Sequence, residues 1–124
     1  MTYLKLKGIV RPKMKKSNPS FLNGVPELLV LRLLARRPMY GYELVKEIQL
    51  QTADALSFGE GCIYPYLHYL EAAKLVRSRR REVGGRSRHY YELTARGHKR
   101  LAALSTEWTR VATAITTVLG GRHV

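Results

Sequence analysis

Acidic residues are scarce in this chain. Only 9 Asp and Glu stand against 22 Lys and Arg, and Asp54 is the sole aspartate in 124 residues. Paired-carboxylate acid and base chemistry therefore has little to draw on. A single cysteine, Cys62, excludes an internal disulfide framework and fits a reducing compartment. The histidines His68, His89, His98 and His123 show no metal-ligand spacing, and no glycine-rich phosphate loop is present. No apolar run reaches the roughly 18 residues of a membrane helix. The start, Met1-Thr2-Tyr3-Leu4-Lys5-Leu6-Lys7, has too short an apolar core for a secretory signal. These absences argue against an enzyme, a metalloprotein or a membrane protein. No catalytic residue, metal or cofactor is expected, and the expected location is cytoplasmic.

The chain does carry cation and apolar side chain. The formal net charge is +13, a self-repulsion that a polyanion relieves, and nucleic acid is the usual one. Hydrophobic residues make up 45%, enough to drive folding. The length fits one domain with a modest core, close to the size at which dimerisation helps.

Four segments follow from composition and periodicity. Residues 1–22 hold Lys5, Lys7, Arg11, Lys13, Lys15 and Lys16 with no acid, and Pro12 and Pro19 interrupt any periodicity. They read as a basic arm, either a solvated tail or a contact to phosphates, mobile without a partner. Tyr3, Leu4, Leu6, Ile9 and Val10 also allow it to dock on the domain as an extra helix or strand. Residues 23–94 read as a compact DNA-binding domain, 95–119 as a long helix, and 120–124 as a tail.

In the second segment, Asn23 or Gly24 caps a Leu-rich first helix that ends at Arg36-Arg37-Pro38. Its near-continuous apolar surface calls for cover on two sides. A second helix spans about Tyr40 to Gln51, and Phe58 anchors the polar stretch after it. Pro65 belongs in the first turn of a third helix, which sets its start at Gly61 or Cys62. Ile63, Leu67 and Leu70 make that helix's buried face, while Tyr64, Tyr66 and His68 point outward. A two-stranded ribbon follows, turning at Gly84-Gly85. Alternation puts Arg77, Arg79 and Arg81 on one face, with Arg86 and Arg88 across from them. A helix-turn-helix followed by an arginine-laden wing is a shape that sits on duplex DNA. The fold class expected is therefore mainly α with a two-stranded β wing, a winged helix-turn-helix extended by a long C-terminal dimerisation helix.

The expected DNA contacts are Tyr40, Ser57, Glu60, Ile63, Tyr64 and His68 around the third helix, and Arg79, Arg81, Arg86, Arg88 and His89 on the wing. In the last helix Leu101, Leu104, Trp108, Val111, Ile115 and Val118 are spaced 3, 4, 3, 4, 3. That is a coiled-coil seam one small domain cannot cover by itself. With Leu29 and Leu33 it forms the expected homodimer interface. Trp108 packs there, or offers a flat surface to a small aromatic effector between subunits. Cys62 reads as a small buried hydrophobe, with a redox-sensing thiol as the alternative.

The ordered set Tyr40-Gly41-Tyr42-Glu43-Leu44, Ile63-Tyr64-Pro65-Tyr66-Leu67, Leu70-Glu71, Leu75-Val76, Arg88-His89-Tyr90-Tyr91-Glu92-Leu93-Thr94 and Gly97 resembles the PadR family of winged-helix transcriptional regulators. The match covers about Leu28 to Val118. The resemblance implies a homodimeric repressor, joined through the first and last helices, that binds an inverted-repeat operator with the third helix and wing. The short chain looks like the smaller subfamily, some of whose members bind flat aromatic ligands where Trp108 stands. Two features depart from the pattern: a longer basic arm, and His89 where lysine or arginine is common. The alternative is an architectural winged helix that binds nucleic acid without sequence preference.

Overall fold

The computed structural model describes residues 5–6, 9–10 and 24–120. In the basic arm, β1 (Lys5–Leu6) and β2 (Ile9–Val10) pair antiparallel, a strand form that the arm's apolar residues allow. The reading of the rest of the arm and of residues 121–124 lies outside the described residues.

Gly24, at φ 91°, turns the chain into α1 (Val25–Arg36), and Pro26 occupies its first turn where no amide proton is needed. Arg37 is extended before Pro38, and the chain passes through β3 (Met39–Tyr40) into α2 (Gly41–Gln51). Glu43 fixes that junction: its carboxylate accepts from the Tyr40 amide at 3.2 Å and from Arg37 Nη1 at 3.2 Å.

The turn after α2 winds around Thr52, whose hydroxyl donates to the Ile48 carbonyl at 2.7 Å and accepts from the Leu56 amide at 3.1 Å. Phe58 is buried, as its isolation in a polar stretch predicts. The next helix, α3 (Glu60–Ala72), begins one or two residues earlier than the proline argument places it. The Gly59 carbonyl accepts from both Cys62 and Ile63 at 3.0 Å, so Pro65 lies in the second turn, exposed. Helix α3 is also covered on more sides than expected. Tyr66, expected to face outward, is 1% exposed, and Tyr69 is buried with it. Strand β2 of the arm runs beside this helix.

The wing strands are β4 (Val76–Val83) and β5 (Arg86–Leu93), joined by Gly84 and Gly85 at φ 58° and 76°. Positive φ at both central positions is the hairpin geometry that matches strand twist. The sheet has three strands rather than the two expected, in the order β3-β5-β4, all antiparallel. The extra strand is two residues long, and it pairs Met39 with Tyr91 and Tyr40 with Tyr90. The core gathers Leu31, Leu34, Leu44, Ile48, Ile63, Leu67, Leu70, Val76 and Tyr91 where the three helices meet the base of this sheet.

Helix α4 (Ala95–Val118) runs 24 residues, and the Thr94 hydroxyl accepts from the Gly97 amide at 3.0 Å to cap it. The same hydroxyl lies 2.9 Å from the Lys74 carbonyl and 3.0 Å from that of Leu75, the donor shared between them. Gly97 is required here. A Cβ on it would strike the Leu75 carbonyl oxygen and the Leu93 side chain. Helix α4 packs along α1 and β5 as far as Val111 and Ala112, and from Thr113 onward it is exposed.

Candidate nucleic-acid interface

Strand register assigns the wing arginines to its two faces. Arg79 faces Tyr90, Arg81 faces Arg88, and Val83 faces Arg86, so the odd positions of β4 and the even ones of β5 share one side. Five guanidinium groups there are handled in three ways. Glu92 Oε2 accepts from Arg77 Nε at 3.0 Å and from Arg79 Nε at 3.2 Å. Arg81 lies over the Tyr90 ring at 4.8 Å, and Arg88 over the Tyr40 ring at 4.3 Å. The two tyrosines meet edge to face, with centroids 5.3 Å apart. Arg86, beside the turn, is exposed.

The other face of the wing holds Arg80, which donates to the Ser87 hydroxyl at 3.1 Å and to Nε2 of His89 at 3.2 Å. His89 and Arg88 thus point to opposite sides of the ribbon, although both are expected to touch one ligand.

Between the wing and the first turns of α2 and α3 lies an open cleft of about 680 Å³. Tyr40 and Tyr42 line it from the start of α2, Glu60, Tyr64 and His68 from α3, and Arg86, Ser87, Arg88 and His89 from β5. The sequence-predicted residues Tyr40, Tyr64, His68, Arg86 and Arg88 therefore meet in one place, and His89 borders it although its ring bonds to Arg80 on the ribbon's other face. Tyr64 is held close by a glycine: a Cβ on Gly41 would overlap its ring. Burial, and then the nearby Glu60 carboxylate, push the Tyr64 hydroxyl above its usual pKa, against the pull of Arg88. The phenol stays a hydrogen-bond donor at neutral pH.

Other predicted contacts fall elsewhere. Ile63 is 0% exposed, so it belongs to the core and cannot reach a base. Its spacing with Leu67 and Leu70 places all three on one helix face. Ser57 is exposed but stands outside the cleft, its hydroxyl accepting from Gln49 Nε2 at 3.2 Å. Arg79 is committed to Glu92. Sequence reasoning missed Tyr42 and Ser87, which also line the cleft. Tyr42 shares the Tyr-Gly-Tyr motif, whereas strand parity puts Ser87 on the ribbon's other face, with Arg80.

On the apolar side, Leu33 and Leu101 are buried within this chain, leaving little surface for a partner. Leu29, Leu104 and Val111 are half-buried, whereas Trp108 is 50% exposed, Ile115 52% and Val118 85%. Trp108, Val111 and Leu104 face Gly24, Val25 and Leu28 across a groove of about 230 Å³. Among the described residues no group of His, Cys, Asp and Glu could hold a metal ion, and no helix is long and apolar enough to cross a membrane. Cys62 is partly buried on α3.

A helix-turn-helix whose third helix shares a cationic cleft with a β wing defines a winged-helix nucleic-acid-binding protein. The model of the transcriptional regulator PadR-like family matches residues 30–103, and the chain belongs to that family, whose members are DNA-binding transcriptional regulators. It is 31% identical over 102 residues to the transcriptional regulator Rv3488 of Mycobacterium tuberculosis, spanning 82% of this chain and 90% of that one. It is 30% identical over 91 residues to an uncharacterized protein X of Lysinibacillus sphaericus, 73% of this chain and 84% of the relative. The crystal structure of a PadR-like transcriptional regulator from Bacillus cereus superposes with a TM-score of 0.73 at 28% identity, covering 84% of this chain and 100% of that one.

Proposed function

We propose that this regulator is a homodimeric, sequence-specific repressor that a small aromatic effector releases from an inverted-repeat operator. The observation that carries sequence specificity is the cleft. There the groove-facing side chains of α3, Tyr64 and His68, stand beside the wing cations Arg86 and Arg88, so base reading and phosphate anchoring act together. Support for a homodimer comes from the far half of α4, where Trp108, Ile115, Val118 and Leu119 are uncovered apolar side chains at the end of one long helix. Two recognition helices about 34 Å apart would then read two half-sites one helical turn apart. The groove at Trp108 supports an effector site beside that seam. An effector there acts only if it binds the DNA-incompetent arrangement more tightly, because equal affinity for both shifts nothing. A cytoplasmic location accords with this role.

The net charge of +13 and the basic arm favour a second reading, a non-specific architectural binder. Binding to the protein's own upstream DNA and to a scrambled duplex, at two salt concentrations, separates the two. A repressor prefers its operator by about 10³ or more. Equal binding to both duplexes, falling steeply with salt, would leave the architectural reading in place.

A further inference from the structure

Glu60 is out of keeping with its surroundings. It opens α3, is exposed, and is the only acid among the residues that line the cleft. Most of the other glutamates are occupied: Glu27, Glu43, Glu92 and Glu107 pair with arginines, Glu71 accepts from Ser78 at 2.7 Å and Glu47 from Gln51 at 2.7 Å, while Glu82 is exposed on the wing, outside the cleft. Within the described residues no hydrogen bond or ion pair holds the Glu60 carboxylate, although Arg86 and Arg88 line the same cleft. On a surface that receives a polyanion, an unpaired carboxylate repels every phosphate and gains nothing from the DNA backbone.

A carboxylate only accepts hydrogen bonds. In the major groove guanine and thymine present acceptors to it and adenine sets its N6 donor beside the acceptor N7, which a carboxylate's second oxygen would meet, whereas cytosine presents N4 as a donor with no acceptor beside it. The first turn of a recognition helix is where side chains reach base edges. We propose that Glu60 is a specificity-determining residue whose carboxylate accepts from N4 of a cytosine in the operator, and that it rejects guanine and thymine at that position. This rests on α3 entering the major groove, as the proposed function requires. Tyr64 stands one turn along the same helix, and its phenol is a hydrogen-bond donor at neutral pH. The pair therefore presents an acceptor and a donor side by side.

The test is selection of sites from a random-sequence duplex pool by the full chain and by Glu60→Gln, with the thermal unfolding of both proteins compared. Glu60 is exposed and the replacement is isosteric, so the variant should unfold as the parent does. The parent should enrich a motif with a cytosine column in each half-site. In the variant the preference for cytosine there should fall by about tenfold or more, with the other columns retained. Affinity for random duplex should rise as the negative charge is removed. If the parent enriches a motif and the variant returns the same motif, the assignment of Glu60 is overturned while sequence-specific binding stands. If the parent enriches nothing, both fail together.

Discussion

Glu27 and Arg100 join the first turn of α1 to the second turn of α4, Nε to Oε2 at 3.0 Å, with the glutamate 1% exposed and the arginine part-exposed. An ion pair of this kind contributes little relative to an apolar pair of the same shape, yet it is costly to break from one side. Arg100→Ala should therefore destabilise the fold by about 2–3 kcal/mol, tempered by the solvent that reaches Arg100. Glu27→Gln, which keeps an acceptor without a buried charge, should cost less. Urea denaturation of the two variants gives the order. A larger effect for Glu27→Gln would mean that the arginine is dispensable.

Gly97 marks the point where α4 crosses the end of α3. Gly97→Ala places a methyl group against the Leu75 carbonyl, which is backbone and cannot swing aside. The expected cost is about 2–3 kcal/mol, read as a lower urea midpoint with an unchanged slope.

Gly41 and Tyr64 form the corresponding pair at the cleft. Gly41→Ala should push the Tyr64 ring out of place and reduce preference for operator over random DNA, with little change in melting temperature. In the double variant Gly41→Ala with Tyr64→Ala, the glycine change should add almost nothing to the specificity defect caused by Tyr64→Ala alone. Additive defects would mean that the glycine acts by another route.

The wing arginines should not be equivalent. Arg86→Ala with Arg88→Ala should weaken binding to all DNA and flatten the log–log salt slope by roughly 0.9 for each phosphate no longer neutralised. Arg77→Ala with Arg79→Ala should do less, because Glu92 already neutralises part of their charge. Glu92→Gln should tighten non-specific binding. Equal slopes for the two double variants would show that the ion pairs open on DNA.

At the far end of α4, Val111→Glu with Ile115→Glu should give a folded monomer by sedimentation equilibrium, since neither side chain belongs to the buried core. A dimer that survives both changes would place the subunit interface elsewhere.

What is legible in the sequence is periodic or conformational. The apolar stripe of α2, the glycine pair of the hairpin, the Thr94 cap and the length of α4 each follow from local rules about side-chain spacing or backbone angle. What escapes depends on partners distant in sequence. Nothing in Met39-Tyr40 alone reports a strand, because it exists only by pairing with Tyr91 and Tyr90. Tyr66 is a different case: it stands three residues after Ile63 and four before Leu70, on their own face, so helical phase already buries it and only its hydroxyl argued for solvent. Ile63 fits both the apolar stripe of α3 and the end of the helix that reads bases, and burial admits only the first. Parity groups the arginines on one face correctly, but Glu92, which holds two of them, comes into view only with the register.

Thr94 has a mechanical consequence. Its hydroxyl engages main-chain oxygens at the exit of α3 while its own backbone launches α4, so the base of one helix is tied to the end of the other through a short, β-branched side chain that is stiff at χ1. With about 36 Å of helix beyond that joint, a tilt of about 5° at the base corresponds to a swing of about 3 Å at the tip. Helix α4 is therefore a lever arm and α3 the load close to its pivot. A displacement imposed far out along the arm reaches the cleft reduced in amplitude and increased in force, like the output of a reducing gear.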